Sequence, residues 1–174
     1  MTPISIAIIG AGPAGLASAL YLHGAGHHVR IYERFAEPQP VGSGLILQPT
    51  GMAVLGDLGL ADRMLALGSR IDRLQGDDAK SGRTVLEVSY RNQQFGLGVH
   101  RTALFSVLHD AVAALGIPMQ CARDVSSVRT SGFGVSLRTG ESSESEIFDL
   151  VVDASGANSC LRDPNQMGAM RKPL

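Results

Sequence analysis

An α/β fold built around a parallel sheet follows from three features of this sequence. The first is the opening run Ile6-Ala7-Ile8-Ile9, short, largely β-branched and uncharged, as a strand covered on both faces requires. The second is the turn Gly10-Ala11-Gly12-Pro13-Ala14-Gly15, which enters a helix-forming stretch, Leu16 to Leu22, and leads to a second apolar strand, Val29 to Tyr32, ending at Glu33. The third is a late apolar run, Asp149 to Asp153, which reads as a buried strand of the same sheet reached after a stretch of alternating residues. The expected architecture is Rossmann-like: a parallel sheet, an inserted β-meander, and the beginning of a second β-sheet.

Each position of the first turn has a physical role. Gly10 permits the sharp exit from the strand, Gly12 has no side chain to hold a pyrophosphate off the backbone, and Gly15 lets the helix approach the sheet. Pro13 falls in the first helical turn, where its missing N–H costs nothing. Free N–H groups and the positive end of the helix dipole then favour a pair of phosphates at Gly10, Gly12, Pro13, Ala14 and Gly15. Glu33 can accept hydrogen bonds from both hydroxyls of an adenosine ribose and would repel a 2′-phosphate. A glycine motif alone is weak, but with strand, helix and acid in this order it marks a dinucleotide site.

Beyond Glu33, residues 35–43 form a proline-bearing loop, Gly44 to Leu47 resumes an extended run, and Pro49 opens a helix that Gly59 caps. Leu60 to Leu67 adds a turn or two of helix. Arg70 to Leu74 and Thr84 to Tyr90 read as strands joined by a turn over 77–82, in a sheet distinct from the first. Arg101 to Leu115 is the clearest helix, with Leu104, Val107, Leu108, Ala111 and Leu115 on one face and Gly116 and Pro118 as its stop. Met119 to Cys121 is a short strand. Asp124 to Arg129 and Phe133 to Arg138 pair as a hairpin with Phe133, Val135 and Leu137 on one face; Ile147-Phe148 completes the meander. The Ser/Glu stretch 141–146 reads as a solvated turn.

Composition narrows the function. The 174 residues are 44% hydrophobic with a net charge of −1 and no basic cluster, so a nucleic-acid partner is not expected. The first charged side chain is Arg30, yet glycines and Pro13 break the N-terminal apolar run and no basic segment precedes it, which argues against a signal peptide or membrane span. A cytoplasmic protein is expected. Cys121 and Cys160 lack metal-ligand spacing and read as reduced thiols. His27 and His28 read as strand-edge residues, His100 and His109 as structural or exposed, and no metal site is expected. Ser155 and Ser159 lack a nucleophile elbow and a plausible His partner, so serine-hydrolase chemistry is not expected. Arg101, a cation at a helix N-terminus, is unfavourably placed unless an anion lies near, which points to a phosphate contact.

The order of features resembles the FAD-dependent aromatic-ring monooxygenases of the para-hydroxybenzoate hydroxylase type, over nearly all of this chain but only the N-terminal half of such an enzyme. The motifs that carry the resemblance are Gly10 to Gly15 with Tyr32-Glu33-Arg34; Gly42-Ser43-Gly44-Leu45-Ile46 followed by Pro49; His100-Arg101-Thr102-Ala103-Leu104; and the run from Asp149 to Arg162. The resemblance implies FAD as cofactor, NAD(P)H as reductant, a small aromatic substrate and hydroxylation through a flavin hydroperoxide. By position, Glu33 would bind the adenosine ribose, with Arg34 and the backbone of Val125 near the adenine. Gly44 and Arg101 would meet the cofactor further along, Arg101 at the pyrophosphate or ribityl region, and the turn containing Ser155 would lie under its middle. Residues 1–68 and 100–174 would form the FAD domain, 124–148 its meander, and 69–99 the start of the substrate-domain sheet.

Two departures stand out. The family carries Gly-Ala-Asp-Gly where this chain has Asp153-Ala154-Ser155-Gly156, so a carboxylate is missing at position 155 and Asp153, on a buried strand, is expected to point elsewhere. The family's later Gly-Asp motif has no counterpart before Leu174, and 167–174 shows no family pattern; a truncated chain with marginal stability is expected. The remaining readings are a catalytically inactive dinucleotide-binding remnant and an NAD-dependent Rossmann reductase. The second of these has no need of the meander or the returning strand.

Overall fold

A computed structural model describes residues 2–39, 42–90, 94–140 and 143–162. The expectations for 167–174, for 40–41 within the loop 35–43 and for 141–142 within the stretch 141–146 lie outside the described residues. The chain divides into two compact units, one of residues 1–38 with 116–174 and one of residues 39–115.

The first unit is a parallel sheet of four strands, β1 (Ser5–Ile9), β2 (His28–Tyr32), β8 (Met119–Gln120) and β12 (Leu150–Asp153), in the order β12-β1-β2-β8. Helix α1 (Pro13–Gly24) joins β1 to β2, with Pro13 in its first turn, and the chain leaves it through Gly26 at φ 88°. Alternation along the strands divides the core. Ile6, Ile8 and Ile31 lie on one face of the sheet, and α1 packs on β1 and β2. Ala7, Ile9 and Tyr32 on the other face meet Val125, Leu137 and Phe148 of the meander. That meander is the antiparallel sheet β9 (Val125–Ser131), β10 (Gly134–Thr139) and β11 (Ser143–Phe148), in the order β11-β10-β9.

Three local expectations change here. Phe133 lies in the β9–β10 turn, 88% exposed, so the inward face of β10 is carried by Leu137. The strand β11 starts at Ser143, so most of the Ser/Glu stretch is strand rather than turn, with Glu146 paired to Arg30. Strand β12 pairs only with β1 among the described residues, and Leu150 is 41% exposed, so this apolar run is an edge strand rather than a buried one.

The second unit contains β3 (Gly44–Leu47), β4 (Ser69–Ile71) and β7 (Gly96–His100) as an antiparallel sheet, in the order β3-β7-β4. A separate hairpin pairs β5 (Arg73–Asp77) with β6 (Thr84–Ser89). The run expected as one strand over 70–74 is thus broken at Asp72 and serves two sheets. Strand β7 was invisible to pattern reading because Gly96 and Gly98 lower its strand propensity. Both glycines are closely packed: an added Cβ at Gly96 would lie 2.9 Å from the Ile46 side chain, and at Gly98 3.2 Å from that of Ile71. Helices α2 (Pro49–Asp57), α3 (Ala61–Leu65) and α4 (Arg101–Ala114) complete the unit. On α4 the buried face is Leu104, Phe105, Val107, Leu108 and Val112, while Leu115, expected on that face, ends the helix exposed.

Candidate functional site

In the first unit, the strand order places β2 on one side of β1 and β12 on the other. The crevice at the carboxyl ends of such strands, where the connections diverge, is the usual ligand position of an open α/β sheet. Here it is a cleft lined by Gly10, Glu33, Arg34, Val125 and Ser155 of the expected site, together with Arg123, Asp124, Asn158 and Cys160.

The three motif glycines have separate physical reasons. Gly10 sits at φ 101°, and a Cβ on it would come within 2.6 Å of the Ala154 carbonyl oxygen. A Cβ on Gly15 would lie 1.9 Å from the Gly10 oxygen, so that turn closes directly on its own helix. Gly12 differs, since a Cβ there would meet nothing within 4 Å. The open space over Gly12, a first turn of α1 without a side-chain cap, and no acidic residue in that turn suit a diphosphate; Pro13 and Ala14 there are exposed.

Glu33 is only 7% exposed. Its Oε2 accepts the Ala11 N–H at 2.7 Å and its Oε1 the Phe35 N–H at 3.0 Å. The carboxylate is thereby fixed between the glycine turn and the loop after β2, and each oxygen keeps capacity for another donor. The crossover after β8 clamps the same loop: Arg123 N–H donates to the Glu33 carbonyl at 2.8 Å and Ala122 N–H to that of Phe35 at 2.9 Å. This pairing holds Ala122 at φ 53°, a left-handed conformation that costs an alanine about 1–2 kcal/mol. The Arg34 guanidinium lies over the Phe35 ring, 4.6 Å from its centroid. Cys121 is half-buried, and burial followed by the nearby Glu33 charge pushes its thiol pKa up.

Asp153 itself does not line the cleft; its carboxylate turns onto the residues that follow it. Its Oδ1 accepts the Ser155 N–H at 3.0 Å and the Ser155 hydroxyl at 2.5 Å, and its Oδ2 accepts the Ser159 hydroxyl at 2.5 Å. Burial alone would raise this carboxyl's pKa. The Ser155 and Ser159 hydrogen bonds, with Arg162 nearby, outweigh it and hold the group below its ordinary value. Arg162 donates to the Gly156 carbonyl at 2.5 Å. The turn 153–159 is therefore organised by its own polar side chains, a role that spacing alone did not reveal.

Gly44 and Arg101 belong to the second unit. Gly44 opens β3 opposite His100, and the Arg101 N–H donates to the Ser43 carbonyl at 3.0 Å. A Cβ on Gly42 would lie 2.9 Å from Arg101 Cδ, so this motif holds the arginine against the loop before β3. Among the described residues there is no cluster of His, Cys, Asp or Glu able to hold a metal ion, and no helix is long and apolar enough to cross a membrane. His27 is buried with its Nδ1 accepting the Ile4 N–H at 3.4 Å, a structural role.

Fold and cleft together define a dinucleotide-binding α/β domain with an inserted meander. The chain belongs to the FAD binding domain family, which it matches over residues 3–171. It is 30% identical over 164 residues to the 6-hydroxynicotinate 3-monooxygenase of Bordetella bronchiseptica, an alignment covering 91% of this chain and 42% of that protein. To the 3-amino-4-hydroxybenzoate 2-monooxygenase of Streptomyces cremeus it is 32% identical over 169 residues, covering 91% of this chain and 41% of that one. The crystal structure of a variant 2-methyl-3-hydroxypyridine-5-carboxylic acid oxygenase superposes with a TM-score of 0.79 at 25% identity, over 92% of this chain and 42% of the other. The chain therefore spans about two-fifths of the length of the relatives it matches. The resemblance to FAD-dependent aromatic monooxygenases, over their N-terminal half, holds.

Proposed function

We propose that this chain supplies the adenosine-diphosphate half of an FAD site in an oxidoreductase that hydroxylates a small aromatic ring, with NAD(P)H as reductant, in the cytoplasm. One observation carries the reading: Gly10, Glu33, Val125 and Ser155, far apart in sequence, line one cleft at the carboxyl ends of the parallel strands. In this reading the amides of Gly12, Ala14 and Gly15 face the diphosphate, and Glu33 accepts from the adenosine ribose. Arg34 and the Val125 backbone border the adenine. The parts of Gly44 and Arg101 rest on their motifs, with Arg101 assigned to a phosphate. Residues 69–99 are assigned to the start of the substrate sheet. Bound FAD supplies electron transfer and oxygen chemistry; the residues of this chain bind it, orient it and exclude water.

The test is an absorbance spectrum of the purified chain after adding FAD and removing excess, with and without NAD(P)H. Retained flavin absorbance at stoichiometric level is expected. A colourless chain that binds ADP but no FAD would reduce the reading to a nucleotide-binding module, and tight NADH binding without FAD binding would replace it.

A further inference from the structure

The two serine hydroxyls bonded to Asp153 are not equivalent. Ser159 is buried, and its oxygen already accepts the Leu161 N–H at 3.1 Å while its proton goes to Asp153. Ser155 is exposed and lines the cleft beside Gly10. Its proton is committed to the Asp153 carboxylate, which as an anion can only accept. The Ser155 oxygen is therefore presented to the cleft as an acceptor, made more basic by the carboxylate behind it. Its backbone is held as well: the Ser155 N–H is bound to the same carboxylate, and Ala154 abuts Gly10 closely enough that a Cβ there would clash.

Resting on the dinucleotide reading above, we propose that Asp153 is a positioning residue that turns Ser155 into an obligate acceptor for a hydroxyl group of the cofactor, not a donor to its phosphates. The chemistry that fits is a sugar alcohol: phosphate oxygens also accept, and the charges of Asp153 and Glu33 disfavour an anion at this point. FAD offers two such groups, the adenosine ribose and the ribityl chain. ADP carries only the first, so the two ligands distinguish the sources.

The experiment measures FAD and ADP affinity by titration for the parent chain and for S155A, D153A, D153N and the double variant D153A/S155A, with the melting of each unliganded protein followed in parallel. S155A and D153A are each expected to lose about tenfold in affinity. The double variant should lose no more than S155A alone, because Asp153 acts on the ligand only through the Ser155 hydroxyl. D153N, whose amide oxygen can still take the Ser155 proton, should lose less than D153A. Losses with both ligands assign the ribose, and losses with FAD alone assign the ribityl chain. If S155A binds both ligands like the parent while D153A is weakened, Asp153 only shapes the turn and the inference is overturned. If the parent chain binds neither ligand, the dinucleotide reading fails and this inference falls with it.

Discussion

A glycine can be required by its own fold or by what the fold binds, and the two glycines flanking Pro13-Ala14 separate these cases. A methyl group on Gly15 would overlap the Gly10 carbonyl at 1.9 Å, so Gly15→Ala forces the turn away from α1 and should destabilise the unliganded chain by about 1–3 kcal/mol. A methyl group on Gly12 meets open space at φ −71°, so Gly12→Ala should leave unliganded stability within about 0.5 kcal/mol of the parent. Its methyl would stand where the diphosphate approaches, and FAD affinity should fall by at least about tenfold. Chemical denaturation and FAD titration of the two variants check this pair of opposite outcomes. An unliganded Gly12→Ala as unstable as Gly15→Ala would contradict it. Glu33 shows the other kind of residue-scale economy: one buried carboxylate ties the glycine turn to the β2 loop through two backbone amides and still borders the cleft.

Strand β12 shows how an edge element is held in place. It has one strand partner among the described residues, yet a carboxylate secures it at either end. Asp149, just before it, accepts the Ser5 N–H at 2.7 Å and the Ser5 hydroxyl at 2.9 Å, tying the start of β12 to the start of β1. Asp153, at its end, organises the turn that meets Gly10. The Ser5 backbone and hydroxyl donors hold the Asp149 carboxyl below its ordinary pKa, and Asp153 is held low as well. A carboxyl whose folded pKa is depressed stabilises the fold fully above its unfolded value, near 3.9 for aspartate, and that contribution is lost as pH falls through the lower folded value. Stability should therefore fall in acid below about pH 4, and Asp149→Asn should flatten that limb without steepening it near neutrality. Denaturant midpoints measured against pH decide it; an unchanged acid slope in the variant would remove Asp149 from the account.

At the scale of the whole molecule, apolar side chains remain in contact with solvent, among them Val85, Leu86 and Val88 along β6 and Ile147 on β11. That surface is the physical basis for expecting marginal stability without ligand. Ligand that binds only the folded state raises stability by mass action, about 2.7 kcal/mol at a free concentration one hundred times Kd. For a chain of this size that corresponds to a rise in Tm on the order of 5–10 °C. The melting temperature should climb with the logarithm of FAD concentration, and in Gly12→Ala the climb should begin only at higher FAD. A high transition that FAD does not move would refute both the weak unliganded fold and the binding site.

Local chemistry was legible in the amino-acid order. The βαβ unit, the glycine turn, Glu33 at the end of β2 and the start of α4 depend on φ preferences, helix capping and the period of apolar residues, all contained within a few neighbouring positions. What the order alone could not decide were matters of distant partners. The run 70–74 divides at Asp72 because β4 finds β7 and β5 finds β6, pairings that a strand's own residues do not encode. The same reason leaves β12, as apolar as a buried strand, with one partner among the described residues, and puts Phe133 in solvent on a turn that begins two residues later than the alternation suggests. The turn after β12 shows both kinds: Asp153 takes its hydrogen bonds from Ser155 and Ser159, two and six residues on, but only the folded chain brings that turn against Gly10.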